Sequence, residues 1–337
     1  MVFTIGSKRI SRASAQARAA TFPPYEMLGP VASGIAEADS KTRKLERLYH
    51  LTHKHAWDGP AVFAELLERH GEPGERMNPE VRAALSRVLT VLMWGELAAW
   101  NISADLALEI PDMDAKMAAT AQVFDEARHF YVLKDYVTRL GPAPAIGGLP
   151  TRLLRKVLQA PTLAQKLVGM QLLFETNAVV MFRRIGQSGV CPILHELLPY
   201  FERDESRHVG LGVMYLPRLI ERMSRVEAFR TARFQFECTM LLLTSGFTFH
   251  EDFERLGMDP RQMAERVSNM QDEIVQQMAD AHGSQILRAV LSPKGGVGPY
   301  IKDFVHPEQG LARAPEWHQR VHAGITNAAR SLDRALA

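Results

Sequence analysis

Apolar residues recur every three or four positions over long stretches of the chain, which is the spacing of an amphipathic α-helix. No stretch alternates apolar and polar residues for long enough to predict a β-strand. Clusters of glycine and proline separate the helical stretches, so an all-α fold is expected. Helices are predicted at about 34–57, 60–70, 79–109, 113–139, 162–186, 193–222, 226–256, 260–281 and 317–335.

Composition and charge exclude several classes of protein. The chain has 337 residues, of which 46% are apolar and 23% charged, as in ordinary globular proteins. A net charge of +2 is too small to favour nucleic acid or an anionic membrane as the main partner. No apolar run approaches the roughly 18 residues of a transmembrane helix. Two cysteines, Cys191 and Cys238, cannot form a disulfide framework, so a reducing, cytoplasmic location is predicted.

Two copies of one charged motif carry the candidate chemistry. Glu96 precedes Glu126, which lies within Asp-Glu-Ala-Arg-His at 125–129. Glu175 precedes Glu205 by the same number of positions, and Glu205 lies within Asp-Glu-Ser-Arg-His at 204–208. A single Glu-x-x-His is expected by chance in a chain of this composition. Two five-residue copies with an equally spaced upstream glutamate indicate a duplicated functional unit.

The equal spacing of the paired glutamates has a geometric meaning. Turns are predicted near Pro111 and residue 190, which are the midpoints between the two members of each pair. A helix that runs out for about 15 residues, turns and runs back returns to the same depth. Glutamate and histidine at i and i+3 share a helix face. Two such hairpins therefore predict a four-helix bundle with four carboxylates and two imidazoles at its centre.

This set of charges favours metal binding over a network of ion pairs. Four buried carboxylates are not balanced by two imidazoles, and burying an unpaired ionised carboxylate costs several kcal/mol. Two divalent cations would balance the four carboxylates. An oxygen-rich site with one imidazole per metal suits iron or manganese better than structural zinc or calcium.

The motifs resemble those of the ferritin-like di-iron carboxylate proteins, which place a glutamate on each of two helices and Glu-x-x-His on each of two others. The resemblance covers about residues 85–215. It implies a ferritin-like four-helix bundle with additional helices at both ends, and two iron ions per chain, with a manganese–iron pair as an alternative. One metal would be held by Glu96, Glu126 and His129, the other by Glu175, Glu205 and His208, and Glu126 and Glu205 would bridge both.

The Asp-Glu-x-Arg-His form is most similar to the oxygen-activating branch of that superfamily. That branch includes multicomponent monooxygenase hydroxylases, the small subunit of class I ribonucleotide reductase, ribonucleotide-reductase-like oxidases and di-iron N-oxygenases. Leu133 stands where the reductase subunit has its radical tyrosine, Phe201 where N-oxygenases have a third histidine, and Val179 where the hydroxylases have a threonine. No single subfamily matches at every position.

The resemblance implies an enzyme that activates dioxygen to oxidise or hydroxylate a small organic substrate, as an oxidase or monooxygenase. An iron-handling ferritin-like protein and a radical-generating subunit are the alternatives. The roughly 110 residues after 226 favour a substrate enzyme, because extra helices can wall a pocket and exclude water. No flavin or nicotinamide fingerprint is present, so a separate ferredoxin or reductase is the expected electron donor. The chain is expected to act alone or as a homodimer.

Residues near the ligands have expected roles of their own. In the resembled enzymes the aspartate of one motif reaches the histidine of the other, which implies the pairs Asp204–His129 and Asp125–His208. Arg128 and Arg207 would keep the aspartates ionised. Glu202 is either an additional carboxylate or a solvated charge. Candidate pocket residues within reach of the ligands are Trp100, Gln122, Gln171, Phe174 and Phe201.

Breaks in the pattern divide the chain into four predicted parts. Residues 1–22 form a basic, flexible tail, and residues 23–78 form N-terminal helices. Residues 79–225 form the di-metal bundle, and residues 226–337 form additional helices that cover it.

Overall fold

The computed structural model describes residues 40–75 and 77–291, and within these ranges every regular element is a helix. The predicted all-α fold is thereby confirmed. The predicted basic tail and the predicted helix at 317–335 lie outside the described residues. The elements are α1 Ser40–Lys54, α2 Gly59–His70, α3 Pro79–Glu109, α4 Met113–Leu140, α5 Gly148–Leu158, α6 Leu163–Leu167, π1 Val168–Phe174, α7 Glu175–Gln187, α8 Pro192–Ile220, α9 Arg225–Thr248, α10 His250–Arg255, α11 Pro260–His282 and α12 Gln285–Leu291.

Two antiparallel hairpins form the central bundle. Helix α3 packs along α4, and the stretch α6–π1–α7 packs along α8. Asn78 and Asp112 cap the first two helices, since their side chains accept hydrogen bonds from the free backbone N–H groups of the first turn. The connections fall at residues 110–112 and 188–191, on the midpoints that the glutamate spacing predicts.

Two apolar clusters fill the bundle, one towards each end. One cluster contains the first half of α3, the second half of α4 and the first half of α8. The other contains the second half of α3, the first half of α4, π1 and the second half of α8. The duplicated charged motifs lie between them along these helices. The polar centre is therefore closed off by packed apolar side chains above and below.

The connection between the hairpins contains a helix that the sequence pattern did not predict. No helix is predicted between residues 139 and 162, where glycine and proline are frequent, but α5 begins at Gly148. Pro150 lies in the first turn of α5, where a backbone N–H has no intrahelical acceptor and proline is tolerated. Pro150, which by its residue type indicated a break between helices, thus lies in the first turn of a helix.

The predicted helix at 226–256 is divided into α9 and α10 at Phe249. The hydroxyls of Thr244 and Thr248 bond backward to the carbonyl oxygens of Met240 and Ser245. Such side-chain hydrogen bonds compete with the backbone hydrogen bonds of the helix and favour a bend.

A π-helical segment interrupts the third bundle helix just before Glu175. Periodicity predicted one regular helix over 162–186, because a seven-residue π segment changes the apolar pattern too little to be recognised. Gly169 lets this segment lie close to α5, since a Cβ there would be 2.6 Å from Val157 Cγ1. Segments of this kind are frequent at functional sites.

Further helices surround the bundle. Helices α1 and α2 pack on α4 and α8, and α11 packs on α7 and α8. Within the described ranges, none of the helices combines the length and the apolar character required to cross a membrane.

The contact at Gly169 predicts a difference between two glycine substitutions. Gly169→Ala should destabilise the protein by about 1–3 kcal/mol, because Val157 must move to admit the new methyl group. Gly246→Ala on α9 has nothing within 4 Å of the new Cβ and should stabilise by up to about 1 kcal/mol. Urea unfolding of both variants tests this, and equal shifts would contradict the close approach of α5 to π1.

Candidate metal centre

The six predicted ligands meet at the centre of the bundle. They form two overlapping groups, each of whose ligand atoms lie within 4.8 Å of one another. All six side chains are buried. The first group is Glu96, Glu126, His129 and Glu205, and the second is Glu126, Glu175, Glu205 and His208.

In the first group, the carboxylates gather around one imidazole nitrogen. His129 Nδ1 lies 2.9 Å from Glu205 Oε1 and 3.3 Å from Glu96 Oε2. Glu126 Oε2 is 3.7 Å from the same nitrogen.

The second group repeats this arrangement. His208 Nδ1 lies 2.7 Å from Glu205 Oε2, 3.1 Å from Glu126 Oε1 and 3.6 Å from Glu175 Oε1. Glu126 and Glu205 therefore each direct one oxygen to either imidazole. This is the geometry in which a carboxylate can bridge two cations.

Several of these buried atoms have no hydrogen-bond partner among the described residues. They are Glu96 Oε2, Glu126 Oε2, His129 Nδ1 and Glu205 Oε1. Buried polar atoms are seldom left unpaired in native proteins. Four unpaired ligand atoms converging within one small volume fit a bound cation, and two divalent cations would neutralise the four glutamates.

The pKa shifts show the same need for positive charge. Burial and the charge of Glu205 raise the pKa of Glu96 well above its usual value. Burial, Glu205 and Glu126 do the same to the pKa of Glu175. Burial acts to lower the pKa of His129, but Glu205 and Asp204 raise it well above its usual value. Without cations, protons on these groups supply the missing charge, so metal binding must displace protons and weaken as the pH falls.

Two aspartates contact the histidines from behind, in the crossed pattern that the resemblance implies, and two arginines bond the aspartates. Asp204 Oδ2 lies 3.3 Å from His129 Nε2, and Asp125 Oδ2 lies 3.3 Å from His208 Nε2. Each arginine contacts both aspartates: Arg128 bonds Asp125 and, at 2.8 Å, Asp204. Arg207 bonds Asp204 at 2.6 Å and Asp125 at 3.1 Å.

This arrangement fixes which nitrogen of each imidazole can bind metal. A carboxylate at Nε2 accepts its proton and leaves Nδ1 as the free lone pair. Burial acts to raise the pKa of Asp204, but His129 and Arg207 bring it far below its usual value, so this acceptor is ionised.

Residues from outside the bundle complete the network, and sequence reasoning missed them. Trp57 Nε1 donates to Asp204 Oδ2 at 2.7 Å. Arg207 Nε donates to Thr52 Oγ1 at 3.2 Å. Thr52 lies in α1 and Trp57 lies just after it. Neither residue is part of a sequence motif that would have indicated this contact.

Two buried glutamines form a hydrogen-bonded chain that begins at the candidate ligands. Gln122 Nε2 donates to Glu126 Oε1 at 3.0 Å and to Glu175 Oε1 at 2.6 Å. Gln171 Nε2 donates to Gln122 Oε1 at 2.9 Å. Their placement four residues before a ligand glutamate indicated this inner face.

Of the other candidates near the site, Phe201 and Phe174 pack against side chains inside the protein, and Trp100 and Glu202 lie nearer its surface. Phe201 is fully buried and stacks on His129 with ring centroids 4.4 Å apart. Phe174 is half-buried and packs against an apolar cluster. Trp100 is 37% exposed and its ring lies beside Phe130, so it is not part of the buried centre. Glu202 pairs with Arg183 at 2.6 Å and so is a partly solvated charge.

Helix α11 holds the π segment in place beside Glu175. Gln271 Nε2 donates to Leu172 O at 3.1 Å and to Thr176 Oγ1 at 2.9 Å. Thr176 Oγ1 donates to the same carbonyl oxygen at 2.5 Å, so the end of the π segment is bonded both by its own helix and by α11.

The chain is similar in structure, but not detectably in sequence, to a protein already characterised. No family model matches the chain, and no curated protein matches its sequence. A solved structure titled "Protein 19 with aldehyde deformylating oxidase activity", from Synechococcus, superposes with a TM-score of 0.52 and 22% identity. The match covers 60% of this chain and 92% of that chain.

The fold shared with that structure is a ferritin-like helical bundle. The placement of the candidate ligands agrees with that of di-iron carboxylate proteins, which carry one glutamate on each of two helices and Glu-x-x-His on each of two others. The fold predicted from the resemblance is confirmed.

Removal of a shared glutamate should empty both metal positions. Glu126→Ala and Glu205→Ala should each lose most of both transition metals per chain, because each carboxylate belongs to both groups. Glu202→Ala is a matched control that should keep full metal content. Elemental analysis of the purified variants tests this, and full occupancy in Glu126→Ala or Glu205→Ala would refute the ligand assignment.

Loss of the charge behind one histidine should weaken metal binding without removing a ligand. Asp125→Asn or Asp204→Asn should reduce metal affinity by about 10–100-fold, because the amide no longer fixes the tautomer of the imidazole. Affinity is measured by competition with a chelator of known strength. Wild-type affinity in both variants would show that the crossed pairs do not support the metals.

Proposed function

We propose that this protein is a non-haem di-iron oxidase or oxygenase that uses dioxygen to oxidise or hydroxylate a small organic substrate. The observation that carries the proposal is the pair of shared glutamates, Glu126 and Glu205, each with one oxygen directed to either imidazole. The fold shared with a protein of aldehyde deformylating oxidase activity supports it.

The residues fit two iron ions, with a manganese–iron pair as an alternative. Histidine nitrogen and carboxylate oxygen are ligands that both metals accept. Bound ferrous iron would supply the electrons and the open coordination positions that dioxygen reduction needs. The two histidines would hold the metals through Nδ1, with their tautomers set by Asp125 and Asp204.

The surrounding side chains orient the ligands and exclude water. Gln122 donates to Glu126, which belongs to both ligand groups, and to Glu175, which belongs to one, so it holds both carboxylates in position. Phe201 covers one face of His129, and the two apolar clusters close the bundle above and below the site. Exclusion of water limits side reactions of an oxidising site.

A separate ferredoxin or reductase is the proposed electron donor. Repeated turnover by an oxygenase requires electrons from outside, unless the substrate supplies them all. The sequence carries no flavin or nicotinamide fingerprint.

Oxygen uptake tests this function. Protein loaded with ferrous iron under anaerobic conditions should consume dioxygen faster than the same iron in buffer. Zinc-loaded protein is the matched control and should consume none, since zinc has no redox chemistry. A rate no higher than that of free iron would refute the proposal. Iron storage would instead appear as a large multi-subunit shell on gel filtration. Such a shell would accumulate particles of iron mineral.

A further inference from the structure

Helix α9 carries a row of mainly apolar side chains on its outer side. The members are spaced alternately by three and four residues, which places them in one line along the helix. Val226, Phe229 and Phe236 are 59%, 68% and 41% exposed. The outer row consists of Val226, Phe229, Arg233 and Phe236, which are exposed, and Met240 and Leu243, which are partly exposed.

The opposite side of α9 is the one that packs on the rest of the protein. Its buried residues are Ala228, Thr231, Phe234, Gln235, Cys238 and Ser245. The outer row is therefore additional to the face that α9 needs for its own packing. It extends for roughly 25 Å at 1.5 Å per residue. Single exposed apolar residues are ordinary, but a continuous row of this length is typical of a surface that binds another helix.

Two copies of α9 would repel each other if they ran parallel. Equal positions of the two rows would then meet, so Arg233 would face Arg233 of the other copy in the middle of the contact. Beside the row, Arg225 of one copy would come close to Arg230 of the other. Like charges in such contacts are destabilising, most of all where water is excluded. The sequence of α9 therefore disfavours a parallel pair.

Two copies of α9 fit each other when they run antiparallel. With the centres of the two rows aligned, each member meets a different residue of the other copy, and a two-fold axis repeats every contact. Arg233 then lies against the ring of Phe236, where a guanidinium group is attracted to the aromatic face. The contacts are Val226 with Leu243, Phe229 with Met240, and Arg233 with Phe236.

The antiparallel alignment also pairs opposite charges beside the row. Arg230 and Glu237 each directly follow an aromatic member of the row, so both lie on the same flank of α9. Arg230 of either copy is thereby placed beside Glu237 of the other. Hydrogen bonds from Lys156 and Arg233 lower the pKa of Glu237, so its carboxyl group is ionised. Its side chain is 35% exposed and can accept a further cation.

We propose that the outer row of α9 is the interface of a homodimer, in which two copies of this helix pack antiparallel about a two-fold axis. Self-complementary charge favours a second copy over an unrelated protein, because one helix supplies both Arg230 and Glu237 at positions that the axis brings together. A single pair of helices buries less surface than most stable interfaces, so the dimer is expected to dissociate on dilution. The interface is independent of the proposed function, since α9 carries none of the six candidate ligands.

Sedimentation equilibrium of the full chain tests the dimer. Wild type should pass reversibly from the mass of one chain to the mass of two between about 1 μM and about 1 mM. Phe229→Asp should weaken the association at least about tenfold, because it buries a carboxylate against Met240 of the other copy. Leu108→Asp is the matched control on α3, where Leu108 is 72% exposed, and should associate like wild type.

Exchange of the two flanking charges tests the antiparallel alignment. Arg230→Glu alone places two acids at each contact, and Glu237→Arg alone places two bases there. Each variant should therefore be mainly monomeric at the concentration where wild type is half dimeric. An equal mixture of the two variants pairs an acid with a base at both contacts and should recover a dimer that contains one chain of each kind. Native mass spectrometry identifies this heterodimer by its mass, and thermal unfolding of each variant verifies folding.

The dimer and its alignment can each be refuted. If another segment or another protein covers the row, wild type should keep the mass of one chain throughout the concentration range, and the proposal would be overturned. A wild-type dimer that Phe229→Asp leaves intact would lie on another face and would overturn it as well. A dimer that Phe229→Asp weakens, but that the mixture of charge variants does not recover, would refute the antiparallel alignment.

Discussion

The mutual repulsion of four buried glutamates is the constraint on which this structure depends. Coulombic repulsion is strongest where water is excluded, and each ionised carboxylate in such a place costs several kcal/mol unless it is compensated. The two imidazoles cannot provide four positive charges. The bundle therefore closes around a site that two divalent cations would complete.

The rest of the molecule keeps these charges together. Apolar clusters at both ends of the bundle hold the four helices at one depth, so that the glutamates cannot separate. Behind the histidines, each of Arg128 and Arg207 contacts both aspartates, so the two halves are joined by charged groups that balance each other. Contacts from α1 and α11 reach the same centre through Thr52 and Gln271. The helices outside the bundle thus contribute directly to the order of the site.

Much of the site could be predicted because its chemistry is local and repeated. Glu126 and His129 share a face by helical periodicity alone, and the position of the turn midway between Glu96 and Glu126 puts both glutamates at the same depth. The features that were missed depend on contacts distant in sequence or on backbone irregularity. Trp57 reaches Asp204 across 147 positions, and Trp100 turned outward although its position suggested the pocket.

The sequence by itself determined the helical class, the two hairpins and the six candidate ligands, because periodicity and equal spacing act along single helices. Only the tertiary structure decided how the halves face each other, and hence which oxygen of Glu126 and Glu205 is directed to which imidazole. It also decided that Gln171 presents an acceptor rather than a donor, because an amide can turn either way until its neighbours are in place.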